Sequence, residues 1–94
     1  MAEAITLRLL TQEGLVLEDE AVSVIAPGEL GYLGILRNHA PLVTTLKPGK
    51  LTWRRSSEKA RTLLISEGLL EIARNHLTIL THAVSEPPRA TEEL

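Results

Sequence analysis

The sequence predicts an all-β domain, a flattened β-sandwich or barrel of about ten short, mostly antiparallel strands. Three observations lead there. Apolar and polar residues alternate with a period of two along most of the chain. Turn signals recur about every eight to twelve residues. The connections between them are too short for the crossover helices that parallel strands need. The filling is aliphatic, with no Phe, one Trp and one Tyr, which suits two thin layers better than a wide cavity.

Ile5 to Leu10 puts Ile5, Leu7 and Leu9 on one face and Thr6 and Arg8 on the other. Thr11-Gln12-Glu13-Gly14 marks a turn. Leu15-Val16-Leu17 forms a short second strand, closed by Glu18-Asp19-Glu20. Ala21 to Ala26 is rich in β-branched residues and stops at Pro27-Gly28. Then comes GYLGILRNHAPL, Gly31 to Leu42. Here Gly28, Gly31 and Gly34 permit positive φ and close backbone approach in a tight, folded-back loop. Pro41 to Leu46 is extended and ends at the turn Lys47-Pro48-Gly49.

Lys50 to Arg54 alternates with Leu51 and Trp53 inward, Ser56 to Lys59 is a hairpin tip, and Thr62 to Ser66 returns from it. Glu67-Gly68 breaks the run before a strand from Leu69 to Ala73. Arg74-Asn75 turns the chain into the last and longest strand, His76 to Val84. Glu58 to Ile72 also admits a helical reading, which Gly68 and the β-branched residues oppose. Glu86-Pro87-Pro88 ends strand geometry. The domain is therefore 1–86. The tail 87–94 closes on Thr91-Glu92-Glu93-Leu94, a helix-start signal.

Composition narrows function. Twelve acids against ten bases and two aromatics leave no basic face or stacking ladder for nucleic acid. Arg54, Arg55, Lys59 and Arg61 read as a solvated strand end and hairpin tip. Without cysteine there is no disulfide framework, thiolate metal site or thiol nucleophile. No run approaches the roughly 20 apolar residues of a membrane span, so membrane association is expected only through a partner.

His39, His76 and His82 do not have metal-ligand spacing. The last two share a strand face but would lie roughly 20 Å apart. No serine sits in a nucleophile elbow, and the glycine spacing matches no phosphate loop. We expect no catalytic residue, cofactor or metal. His39 is expected to satisfy two backbone groups and pin its loop to the sandwich edge.

Taken together, G-x-L-G-I-L-x-x-H-A-P-L (Gly31 to Leu42), K-P-G (Lys47 to Gly49) and E-G-L-L-E-I-x-x-N-x-L-T-I-L (Glu67 to Leu80) resemble the epsilon-subunit family of F-type ATP synthases. The resemblance covers about residues 4 to 86. It implies a non-catalytic rotor subunit at the foot of the central stalk, joining gamma to the ring of c subunits and coupling ion flow to ATP synthesis or hydrolysis. The implied location is peripheral, in the F1 sector on the cytoplasmic face of a bacterial plasma membrane; a plastid thylakoid is the other possibility.

In that frame Gly31, Gly34, His39 and Pro41 shape the loop. Glu29, Tyr32, Arg37 and Asn38 face the ring, and Ala40, Leu42 and Val43 face gamma. The family usually carries Pro-Gly, or Pro with another small residue, before the histidine; Arg37-Asn38 changes the charge there, while Asn still tolerates the left-handed region. Most members continue into a helical hairpin that can inhibit hydrolysis and in some cases binds ATP. If the chain ends naturally at Leu94, coupling without that inhibition and without ATP binding is expected. The competing expectations are a free-standing peptide- or sugar-binding module, which needs exposed aromatics, and a hydrolase, which needs a nucleophile about 3 Å from His39.

Overall fold

The computed structural model describes residues 4–56 and 58–88. Among them there is no helix, and the helical reading of 58–72 gives way to strands. Ser57, in the expected hairpin tip, and the helix start at 91–94 lie outside the described residues. The strands are β1 (Ile5–Thr11), β2 (Gly14–Ala21), β3 (Ser23–Gly28), β4 (Gly31–Leu36), β5 (Leu42–Leu46), β6 (Gly49–Arg54), β7 (Ala60–Ile65), β8 (Gly68–Ala73), β9 (His76–Thr81) and β10 (Val84–Ser85).

Their order is β10-β7-β6-β3-β5-β8-β9-β1-β2, with β4 on β3. All pairings are antiparallel except β1 with β9. Between β3 and β5 the ladder is a single pair, Gly28 with Leu46. That seam divides the path into two halves of five strands, β4-β3-β6-β7-β10 and β5-β8-β9-β1-β2. Both contribute to one core: Ile5, Leu7, Leu9, Leu70, Ile72, Leu77 and Ile79 from one, and Val24, Ala26, Ile35, Leu51 and Trp53 from the other. These are the residues that the period of two turns inward.

Where the chain passes between halves it is stitched by side chains. At the β7–β8 and β9–β10 corners, Thr81 Oγ1 lies 2.9 Å from both the Ser66 carbonyl and Ser66 Oγ, and 3.1 Å from the Glu67 carbonyl. Ser66 Oγ accepts the amides of His82 at 3.1 Å and Ala83 at 3.0 Å. Thr81 is buried, so its hydroxyl needs these partners. At the same corner Gly68 packs against the Leu80 carbonyl, where any side chain would collide.

Four elements differ from the expectation. β2 continues through Glu18-Asp19-Glu20 to Ala21 and is the longest strand, because the acids keep the alternation with Glu18 and Glu20 outward. Gly31 to Leu36 is a strand on β3; the loop is only its two ends. β3 includes Pro27 and Gly28, since Gly28 still pairs with Gly31 and Leu46. The last strand stops at Thr81, and a bend at His82 starts the crossing to β10. His82 thus leaves the strand face it was expected to share with His76.

Candidate functional site

The β3–β4 hairpin places the expected ring-facing residues. Its turn is Glu29-Leu30, closed by Gly31 at φ +134°. Gly28 allows the close return, with the Gly31 carbonyl 2.8 Å from where a Cβ would stand. Gly34 differs from the expectation: its φ is not positive and nothing lies within 4 Å of a Cβ built there. It leaves a flat spot on the outer face of β4 opposite Ile25.

Glu29, Gly31, Tyr32, His39 and Leu42 line one groove of about 590 Å³ with Leu30, Leu33 and Thr44. Thr45 donates to Glu29 Oε1 at 2.9 Å, and the Lys50 amide donates to the Tyr32 hydroxyl at 3.1 Å. Leu30, at the tip, is fully exposed.

Arg37 and Asn38 belong elsewhere. They follow β4 at its far end, roughly 17 Å from Tyr32 at strand spacing. Arg37 lines a separate polar hollow with Glu20, Arg55 and Glu58. Asn38 stands at φ 67°, as expected of an asparagine there, facing Asn75 at φ 63°. Its amide donates to Asn75 Oδ1 at 2.7 Å, and Asn75 Nδ2 donates to Asn38 Oδ1 at 3.1 Å. That reciprocal pair joins the loop to the β8–β9 turn.

His39 was expected to satisfy two backbone groups. Its ring instead donates from Nδ1 to the adjacent Ala40 carbonyl at 2.6 Å, a local bond that leaves the long-range pinning to Asn75. Among the described residues the ring's partner is that carbonyl and not a hydroxyl. Among the described residues no three His, Cys, Asp or Glu side chains converge as a metal cluster.

Of the gamma-facing candidates, Ala40 and Val43 are exposed. Leu42 turns inward opposite Ile72 and packs against the core, so Val43 is the outward apolar residue there. Of the two aromatics that a sugar- or peptide-binding groove could use, Trp53 is buried and Tyr32 is exposed. Arg55 and Arg61, read as solvated, both reach Asp19 on β2, at 3.2 and 3.0 Å.

The family described as "ATP synthase, Delta/Epsilon chain, beta-sandwich domain" matches residues 4–87. The chain belongs to that family. Its boundaries coincide with the ten strands described above. An ATP synthase epsilon chain of Desulfosudis oleivorans is 40% identical over 83 residues, covering 88% of this chain and 62% of that one. One from Moorella thermoacetica is 44% identical over 77 residues, covering 82% and 58%. The chain thus spans about three-fifths of the relatives it matches.

The fold is similar to a chain in the Euglena gracilis mitochondrial ATP synthase (OSCP/F1/c-ring), with a TM-score of 0.83 at 23% identity over 89% of this chain and 54% of that one. It is also similar to one in the Tetrahymena thermophila central stalk and c-ring, with a TM-score of 0.74 at 20% identity over 87% and 66%. In this delta/epsilon chain domain Gly28 and Gly31 turn the β3–β4 hairpin, and Asn38 and Asn75 hold the loop that follows it.

Proposed function

We propose that the chain is a non-catalytic subunit of the central stalk of an F-type ATP synthase, gripped by gamma and reaching the c-ring. Through it, ion translocation couples to ATP synthesis or hydrolysis. The observation that carries this is the match of the delta/epsilon β-sandwich family across 4–87, with relatives named ATP synthase epsilon chain. The physics agrees. Torque transfer needs a part that does not deform, and a close-packed aliphatic sandwich is stiff.

The ring contact lies at Glu29 and Tyr32, with exposed Leu30 between them; Arg37 and Asn38 form a second contact at the other end of β4. Gamma meets Ala40 and Val43, with Leu42 behind them. The complex sits at the cytoplasmic face of a bacterial plasma membrane, and this chain joins it peripherally. Solubilising native membranes and capturing this chain tests the assignment: gamma and the catalytic subunits should come down with it in fixed ratio. Recovery of the chain without them would refute it.

A further inference from the structure

The strand path ends on β10 and β2, and β4 ends it as a side strand on β3. Strands in such positions present unpaired N–H and C=O groups, and natural proteins guard them with charge, proline or short length. β10 is two residues long, and β2 carries Glu18, Asp19 and Glu20. β4 has six residues, GYLGIL, with no charge and no proline. Its outward side chains are apolar as well. Tyr32 and Leu36 are 59 and 63% exposed, and Ile25, paired with Gly34, is exposed beside them.

The turn decides which backbone groups face outward. Gly28 and Gly31 pair across the two-residue turn Glu29-Leu30, so they exchange both ladder bonds. By alternation Leu33 and Ile35 also direct their groups to β3. Tyr32, Gly34 and Leu36 then aim N–H and C=O away from β3, to a side where no strand pairs with β4 among the described residues. The Leu36 carbonyl accepts the His39 amide at 3.2 Å and keeps a second lone pair.

We propose that a second copy of this chain covers this edge, with β4 antiparallel to β4 about a two-fold axis at Gly34. That register joins all the outward-facing residues: Gly34 meets Gly34 of the second copy, and each Tyr32 meets a Leu36. A slip of two residues either way leaves one of them without a partner. On the outer face each Tyr32 ring lies diagonal to the other copy's Gly34, where the missing side chain gives it room. The ends match in charge. Glu29, at the tip of one hairpin, comes level with His39 and close to Arg37 of the second copy, and the axis repeats this at the other end. A strand from another protein would need the same uncharged centre between opposite charges; β4 supplies both itself.

A seam of this length runs about 20 Å. With its flanking side chains it covers on the order of 400 Å² per copy, about half of the roughly 800 Å² per partner of a standard interface. The pairing is therefore weak, with a Kd on the order of 10–100 µM. It covers Glu29, Tyr32 and Arg37, so it belongs to the chain outside the stalk and gives way when the hairpin meets the ring. That exclusion rests on the stalk reading above; the pairing itself does not.

Sedimentation of the full chain alone tests this, with concentration raised to about 500 µM, well above the expected Kd. Wild type should pass from monomer to dimer. Gly34→Pro removes one outward N–H and no bond to β3, which an edge strand tolerates, and it should weaken the dimer about tenfold or more. Leu36→Lys, a charge on the edge, should do the same and serves if the proline variant unfolds. The chain has no cysteine, so Gly34→Cys on the axis reports the register. Paired Cα atoms stand about 5.5 Å apart, within disulfide reach, and oxidation should link the copies. Ile25→Cys, three strand spacings from its counterpart at about 14 Å, should not link. Wild type that stays monomeric leaves the edge to a strand of another protein and overturns the proposal. So does a dimer that folded Gly34→Pro or Leu36→Lys keeps at full strength, or one that links through Ile25→Cys in preference to Gly34→Cys. None of these results bears on the stalk reading, which capture from native membranes tests separately.

Discussion

The Trp53 indole Nε1 donates to Asp19 Oδ2 at 2.9 Å, joining β6 of one half of the sandwich to the edge strand β2 of the other. Arg61 donates to the same oxygen at 3.0 Å and lies over the indole, 5.2 Å from its centroid. Among the described residues the strand ladder joins the halves at the Gly28–Leu46 seam, with backbone bonds at the corners such as Val22 to Arg54. On the β2 side, Asp19 supplies a connection between the halves through a side chain.

Replacing Asp19 by Ala should leave the buried indole N–H without an acceptor. The arginines are half exposed, so most of the loss belongs to the indole bond. We expect about 2 kcal/mol, or a Tm lower by roughly 10 °C for a domain this size. Asp19→Asn keeps an acceptor and should lose less. Melts followed by Trp53 fluorescence and by circular dichroism check both.

The same site predicts an acid limb. Burial alone pushes the Asp19 carboxyl up. The Trp53 hydrogen bond, the Glu20 amide and the Arg55 and Arg61 guanidiniums together outweigh it, so its pKa is lowered. A depressed carboxylate stabilises the fold fully above its unfolded pKa, and that stability is lost as pH falls through its folded pKa. Urea midpoints of wild type should therefore drop between about pH 5 and 2. Asp19→Asn should show a shallower drop, and the two curves should converge at the acid end.

Two glycines should answer alanine oppositely. At Gly68 a Cβ would press on the Leu80 carbonyl and stand 3.0 Å from Thr81 Cα; these are backbone atoms, and Gly68→Ala should destabilise by about 1–3 kcal/mol or more. At Gly34 nothing stands within 4 Å, and Gly34→Ala should be neutral or stabilising by up to about 1 kcal/mol. Chemical denaturation of both variants distinguishes them.

The Ser66–Thr81 corner should behave as a unit. Ser66→Ala removes the acceptor for the His82 and Ala83 amides, and Thr81→Val removes a buried donor. Each should lower stability by about 1–3 kcal/mol. The double variant should lose less than the sum, because the two hydroxyls share a bond. Hydrogen exchange at those two amides should accelerate in Ser66→Ala.

The loop before Pro41 should depend on Asn75 more than on His39. Asn75→Ala removes both bonds to Asn38 and should lower stability by about 1–2 kcal/mol. His39→Ala removes only a bond to the adjacent carbonyl and should change stability by less than about 1 kcal/mol. A larger loss in His39→Ala would restore the histidine as the pin.

Much of the core was legible, and the misses have physical causes. The period of two identified Ile5, Leu7, Leu9, Leu51 and Trp53 as core. The same period carried through Glu18-Asp19-Glu20 puts Asp19 on the face of Leu17 and Ala21, a signal set aside because consecutive acids resemble a turn. Leu9-Leu10, Leu69-Leu70 and Ile79-Leu80 each break the alternation with one extra apolar residue. In sequence each looks like noise, and only the register puts the extras side by side. GYLGIL looked like a loop because of its glycines, yet Gly34 sits in a ladder that tolerates it.

By itself the sequence determined the class of fold, most of the strands and the residues that face inward. Alternation and turn chemistry act over a few residues, so they leave their trace locally. Only the tertiary structure decided which strands are neighbours, including the parallel pairing of β1 with β9. It also decided that Asp19 meets Trp53 from 34 residues away and that Asn38 meets Asn75. Those contacts depend on how two sheets pack and twist, and pairing between distant segments imposes no pattern on either segment alone.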